Sequence, residues 1–148
     1  MLYDSLYKNN NKKREYQMLF GNFKAILKGG DSVYSWDIGD IYLNGEINTQ
    51  SCEELRNQLN EMDFNIKLFE LEYNSKAPPI NLHIQSTGGS LLDSLYMSDF
   101  INNLKTPVNT YVDGYTASAA SLLSVVGTKR FMTKNSMILI HQLSSGSQ

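Results

Sequence analysis

Ile80-Asn81-Leu82-His83-Ile84-Gln85-Ser86-Thr87-Gly88-Gly89-Ser90 is the stretch that decides the fold. Ile80 to Ile84 reads as a short strand of β-formers, and the adjacent glycines after it mark a tight turn. Beyond Ser90, the residues Met97, Phe100, Ile101 and Leu104 recur on one face of a helix. Strand, glycine turn and helix in that order form the first half of a βαβ unit.

The same alternation continues in both directions. Toward the N-terminus, Asp40 to Ile47 mixes β-formers with a Gly turn and reads as a first strand. Ser51 with Glu54 three residues on predicts a capping box, and Cys52, Leu55, Leu59, Met62, Ile66, Phe69 and Tyr73 then place an apolar stripe on one helical face. That stripe stops at Asn74-Ser75-Lys76 and Pro78-Pro79, which favours one helix lying on a sheet over a coiled coil.

Toward the C-terminus, Pro107 marks a boundary and Val108 to Val112 reads as another strand. Gly114 to Val126 is small and apolar enough for a buried helix. Two short strands follow, at Arg130 to Met132 and Met137 to Ile140. The expectation is an α/β fold with a mainly parallel sheet and right-handed crossovers. Residues 1–30, rich in Asn, Lys and Tyr and ending at Gly29-Gly30, read as an N-terminal arm, and residues 31–148 as the domain. Apolar Met18, Leu19, Phe20, Phe23, Ile26 and Leu27 imply that part of the arm docks, with another subunit as one possible surface.

Composition narrows the function classes. The 148 residues are 41% apolar and 19% charged with a formal charge of -2, which speaks against both disorder and a nucleic-acid partner. Lys12-Lys13-Arg14 is a local cluster that fits a solvated segment. The single Cys52 has no partner for a disulfide or a thiolate metal pair, so a reducing compartment is expected. No apolar run approaches the ~18 to 20 residues that span a bilayer, and residues 1–17 lack the layout of a secretory signal. A soluble, cytoplasmic protein with no membrane partner is the expectation.

Three features could carry chemistry. Gly88-Gly89, between a strand and a helix, lets backbone N–H groups approach a ligand beside a positive helix end. Ser118, in Gly114-Tyr115-Thr116-Ala117-Ser118-Ala119-Ala120-Ser121, sits at a strand-to-helix junction where its hydroxyl can project and the next N–H can face an oxyanion. His141 directly follows the apolar run Met137 to Ile140 and can exchange a proton near neutral pH. Taken singly, a plain turn, an N-cap or packing serine, and a core histidine are the better readings. Together, at the ends of successive strands of a parallel sheet, they supply a nucleophile, a base and oxyanion donors. His83, inside a strand, reads as structural.

These residues resemble the proteolytic subunit of the Clp protease, over roughly residues 35–146. Asp40 to Ile47 is similar to that family's first-strand segment, and Ile84-Gln85-Ser86-Thr87-Gly88-Gly89-Ser90 to its Ser-Pro-Gly-Gly turn. Gly114 to Ser118 looks like its Gly-x-Ala-Ala-Ser nucleophile segment. Lys129-Arg130-Phe131 and Asn135 to Gln142 resemble its histidine segment. The resemblance implies a ClpP/crotonase-like fold and hydrolysis of unfolded polypeptides in a sequestered chamber. It makes Ser118 the acylating nucleophile, His141 the general base and acid, and the N–H groups around Gly88-Gly89 and of Ala119 the oxyanion hole. It further implies stacked heptameric homo-oligomeric rings fed by an ATP-driven AAA+ unfoldase, and no metal or organic cofactor.

The departures are Thr87 for proline, Ala119-Ala120 for Met-Gly, and Leu143 for proline after His141-Gln142. The family's orienting aspartate lies downstream of the histidine, and no Asp follows His141 in this sequence. Asp93, Asp99 and Asp113 match no such position. Losing that carboxylate costs about 10⁴ in rate in other triads. Hence the sequence is expected to be C-terminally incomplete, or else to form a weak or silent ring subunit with a structural role. A crotonase-like acyl-CoA enzyme, suggested by Val112-Asp113-Gly114-Tyr115, is opposed by His141-Gln142. A Ser/Lys dyad using Lys129 or Lys134 has no accompanying membrane segment.

Overall fold

The structure, a computed structural model, describes residues 23–28, 31–36, 39–74 and 76–142. Five strands form one sheet in the order β3 (Asp40–Ile47), β4 (Ile80–Gly89), β5 (Val108–Ala117) and β6 (Arg130–Met132), with β7 (Met137–Leu139) also paired to β5. Every pairing in this sheet is parallel. Helices α1 (Thr49–Tyr73), α2 (Leu91–Asn103) and α3 (Ala119–Val125) make the crossovers. Parallel neighbours need such long connections, so the alternation read from the sequence leads directly to this sheet.

A separate antiparallel pair, β1 (Phe23–Lys28) and β2 (Asp31–Trp36), lies on either side of Gly29-Gly30. The expected arm boundary at those glycines thus separates two strands paired with each other. The remainder of the arm, residues 1–22, lies outside the described residues.

Helix α1 starts earlier than its sequence signature suggests. Asn48, and not Ser51, is the N-cap: its Oδ1 accepts the Ser51 N–H at 2.9 Å, while Ser51 Oγ accepts the Asn48 N–H at 3.0 Å. Two reciprocal bonds satisfy orphan donors of the first turn, which is why Asn48 outcompetes the later candidate. Cys52, Leu55, Leu59 and Ile66 of the stripe are buried, and Met62 packs partly against them. The side chains of Phe69 and Tyr73 lie outside the described residues. Leu59, fully buried, contributes about 1.5–3 kcal/mol by leaving water.

The core lies between these helices and one face of the sheet, where Ile41, Leu43, Ile84 and Leu82 meet α1 and α2 residues such as Leu59 and Met97. Strand side chains alternate between faces, so Tyr42, His83 and Tyr111 belong to the other face. There Tyr42, His83, Tyr111 and Phe131 stack in a row across β3, β4, β5 and β6, with ring centroids 4.8, 4.7 and 4.6 Å apart.

Two strands run further than expected. β4 continues through Ser86 to Gly89, with register shifts against both neighbours near Gln85. β5 continues to Ala117, so the buried helix expected from Gly114 to Val126 is reduced to Ala119–Val125. The cause is β7: Tyr115, Thr116 and Ala117 pair with Met137, Ile138 and Leu139, and that ladder holds the segment extended. Small apolar composition is compatible with either state, so a distant partner decides.

Candidate active site

The second half of β5 delivers Ser118, and β7 delivers His141, to one end of the sheet. The ladder ends with the Ser118 N–H donating to Leu139 O at 2.9 Å, two residues before the histidine. Ser118 then turns sharply, with φ 55° and ψ −129°, and α3 begins at Ala119. L-residues rarely adopt this conformation, which costs on the order of 1–3 kcal/mol and persists only where neighbours enforce it. A serine held at such a strand-to-helix turn presents its hydroxyl clear of the sheet.

Gly88 packs directly against this turn. A Cβ there would stand 2.7 Å from both Ala117 O and Ser118 Cβ and 3.2 Å from Ala119 N, and its φ is +100°. Only glycine permits that approach. Gly89 has φ +145°, and a Cβ on it would run into the Ile47 carbonyl of β3. The two glycines therefore bring β3, β4 and the Ser118 turn together.

A cleft of about 330 Å³ opens here, lined by Gly89, Leu91, Ser118, Ala119, Ser121, Leu122, Ile140 and His141. Four of the five residues singled out from sequence share it. Gly88, the fifth, is buried behind them, and its N–H donates to Ser86 Oγ at 3.1 Å. An oxyanion using that N–H would have to share or replace the bond. Leu91, Ser121, Leu122 and Ile140 escaped the sequence reading. Ser121 and Leu122 carry a helical signal, since three and four residues after the nucleophile they return to its side of α3.

His141 is exposed, and its Nδ1 lies 2.8 Å from Gln142 O. A carbonyl oxygen only accepts, so this bond places a proton on Nδ1, and in the neutral imidazole Nε2 is then the nitrogen with the lone pair. No hydrogen bond joins Ser118 Oγ to His141 among the described residues. Catalytic hydrogen bonds commonly tighten only when substrate is bound.

His83, the other histidine, lies elsewhere. Its Nδ1 pairs with Asp113 at 2.5 Å and its Nε2 approaches Asp40 Oδ1 at 3.4 Å, on the face carrying the stacked rings. Asp93 stands at the start of α2, accepting from Thr49 Oγ1 at 3.4 Å. Neither Asp113 nor Asp93 lines the cleft. Burial, with the Asp93 charge second, pushes the Cys52 thiol up despite a hydrogen bond involving Ser51, so it stays protonated and is a poor nucleophile.

The family model for the Clp protease matches residues 36–148. The chain belongs to the Clp protease family. An ATP-dependent Clp protease proteolytic subunit from Bdellovibrio bacteriovorus is 44% identical over 80 residues, covering 51% of this chain and 38% of that protein. The ClpP protease catalytic domain from Plasmodium falciparum, a crystal structure, superposes with a TM-score of 0.58 at 33% identity over 70% of this chain and 55% of that one. The fold is that of the ClpP catalytic domain. The chain spans 38% and 55% of the lengths of these two relatives.

Proposed function

We propose that this chain is a peptidase subunit of the Clp type, hydrolysing peptide bonds with Ser118 as nucleophile and His141 as general base. The observation that carries the reading is the shared cleft: a serine in a strained turn and a histidine with its Nε2 free, brought together by the β5–β7 ladder. Ser118 Oγ attacks the peptide carbonyl carbon while His141 Nε2 takes its proton. The carbonyl oxygen becomes an oxyanion facing the N–H groups of Ala119 and the Gly88-Gly89 turn. Collapse breaks the C–N bond as His141 returns the proton to the departing amine. Water, activated by the same nitrogen, then hydrolyses the acyl-serine.

Substrate polypeptides, a multi-subunit ring of the same chain and an ATP-driven unfoldase form part of this proposal, as does a cytoplasmic setting. The relatives named above are a proteolytic subunit of an ATP-dependent protease and a ClpP catalytic domain. No helix among the described residues is long and apolar enough to cross a membrane. The alternative of a silent ring subunit draws no support from a cleft that retains both the serine and the histidine.

A fluorophosphonate probe tests the assignment. Ser118 is expected to take the label, Ser118→Ala to abolish it, and His141→Ala to suppress it strongly. Undiminished labelling of Ser118→Ala would refute the nucleophile assignment.

A further inference from the structure

The Ser118 carbonyl and the Ala119 N–H belong to one planar peptide unit, so whatever grips the carbonyl also aims the N–H. Ser121 grips it twice. Its backbone N–H donates to Ser118 O at 3.0 Å and its hydroxyl donates to the same oxygen at 2.6 Å. Position 119 is the first residue of α3, where a backbone N–H has no partner within its own helix. It is thus free to serve a ligand in the cleft.

The grip is anchored in the core. Ser124 Oγ donates to Ser121 O at 2.7 Å, and Thr110 Oγ1 donates to Ser124 O at 2.7 Å. Thr110 is fully buried on β5, the strand that carries Ser118. A run of three hydroxyls therefore ties the nucleophile's peptide back to the strand from which it departs. From the other side, Ser94 Oγ on α2 donates to Ala119 O at 2.7 Å.

We propose that Ser121 is a positioning residue for the oxyanion site, aiming the Ala119 N–H by holding the Ser118 carbonyl. This rests on the proteolytic reading for its consequence in catalysis, but not for its structural content. The hydroxyl adds a second bond to an oxygen that already accepts one. Removing it leaves that oxygen with the Ser121 N–H alone and so loosens the orientation of the Ser118–Ala119 peptide. An oxyanion donor gains its value from being fixed before the reaction, so loosening the N–H costs more transition-state stabilisation than substrate binding.

The test uses full-length assembled protein with Ser121→Ala and Ser121→Thr. Hydrolysis of a fluorogenic peptide is measured per fluorophosphonate-titrated Ser118, together with inhibition by a peptide aldehyde that forms a tetrahedral adduct. Ser121→Ala should lower kcat about three- to tenfold with KM unchanged. Aldehyde affinity should fall by the same factor, and Ser121→Thr should restore most of both. A purely structural role would lower the melting temperature and the titrated fraction while leaving kcat per labelled site and aldehyde affinity intact, and that result would overturn the inference. Crystal structures of wild type and Ser121→Ala provide the second arm, in which the Ser118–Ala119 peptide plane is expected to turn. An unturned plane overturns the inference whatever the kinetics. If the wild-type protein neither cleaves peptide nor takes the probe, the proteolytic reading fails, and the turned or unturned plane alone decides the role of Ser121.

Discussion

Gly88 and Ser118 are in backbone-limited contact: a Cβ on Gly88 would lie 2.7 Å from the Cβ of Ser118. The strand-turn bearing one and the helix-turn bearing the other can pack this closely only because position 88 has no side chain. Gly88→Ala is therefore expected to displace the Ser118 turn. Fluorophosphonate labelling should drop by about 100-fold or more, in line with losses from misplaced catalytic groups. Unaltered labelling with unaltered stability would show that the contact does not govern the site.

Strain at Ser118 implies a trade between stability and chemistry. At φ 55°, ψ −129° a serine is disfavoured, whereas glycine adopts such angles readily. Ser118→Gly should raise the unfolding free energy by about 1–2 kcal/mol, since the relief of strain outweighs a small side-chain loss. The same variant should take no label. Urea unfolding monitored by circular dichroism checks the first point, and a destabilised variant would contradict it.

The network around His83 is expected to contribute to stability alone. His83→Ala removes two carboxylate contacts and the central ring of the stack between Tyr42 and Tyr111. A loss of about 1–2 kcal/mol is expected, with Ser118 labelling per folded molecule unchanged. Asp113→Asn should show a smaller loss of the same kind. A selective loss of labelling would instead connect this face of the sheet to the cleft.

Glu70 supplies a pH dependence with a definite sign. Burial alone pushes its carboxyl up, but hydrogen bonds from Lys67 Nζ and the Ala77 N–H, with the charges of Lys67 and Lys76, together carry it below the ordinary value of 4.5. A carboxyl lowered in the folded state stabilises fully above its unfolded value, and that contribution disappears as pH falls through the folded one. Wild type should therefore lose more stability than Glu70→Gln on acidification below about pH 4.5. Parallel stability curves for the two proteins in urea at successive pH values would contradict the assignment.

The order of elements from Asp40 to Leu139 was legible because burial on one face imposes a period on each helix and strand. Element ends were less so. Asn48 displaced Ser51 as the cap of α1 because a single local competition between hydrogen-bonding side chains decides a helix start. The extension of β5 through Ala117 had no local signal at all, since its partner β7 lies some twenty residues further along the chain. The pair β1–β2 was obscured in the same way, with Gly29-Gly30 readable as a boundary as easily as a hairpin connection.

The sequence by itself determined the α/β alternation, the candidate residues Gly88, Gly89, Ser118, Ala119 and His141, and the order in which they follow one another. Only the tertiary structure decided that β5 takes β6 on its first half and β7 on its second, and so placed His141 beside Ser118 in one cleft. It also separated His83 and Asp113 from that cleft and put Ser121 on the carbonyl of the nucleophile's peptide. The physical reason is that strands pair through backbone groups common to nearly every residue. Local side chains can therefore specify that a segment is extended without specifying its neighbour, and the neighbour is chosen by what the completed sheet and its helices bury.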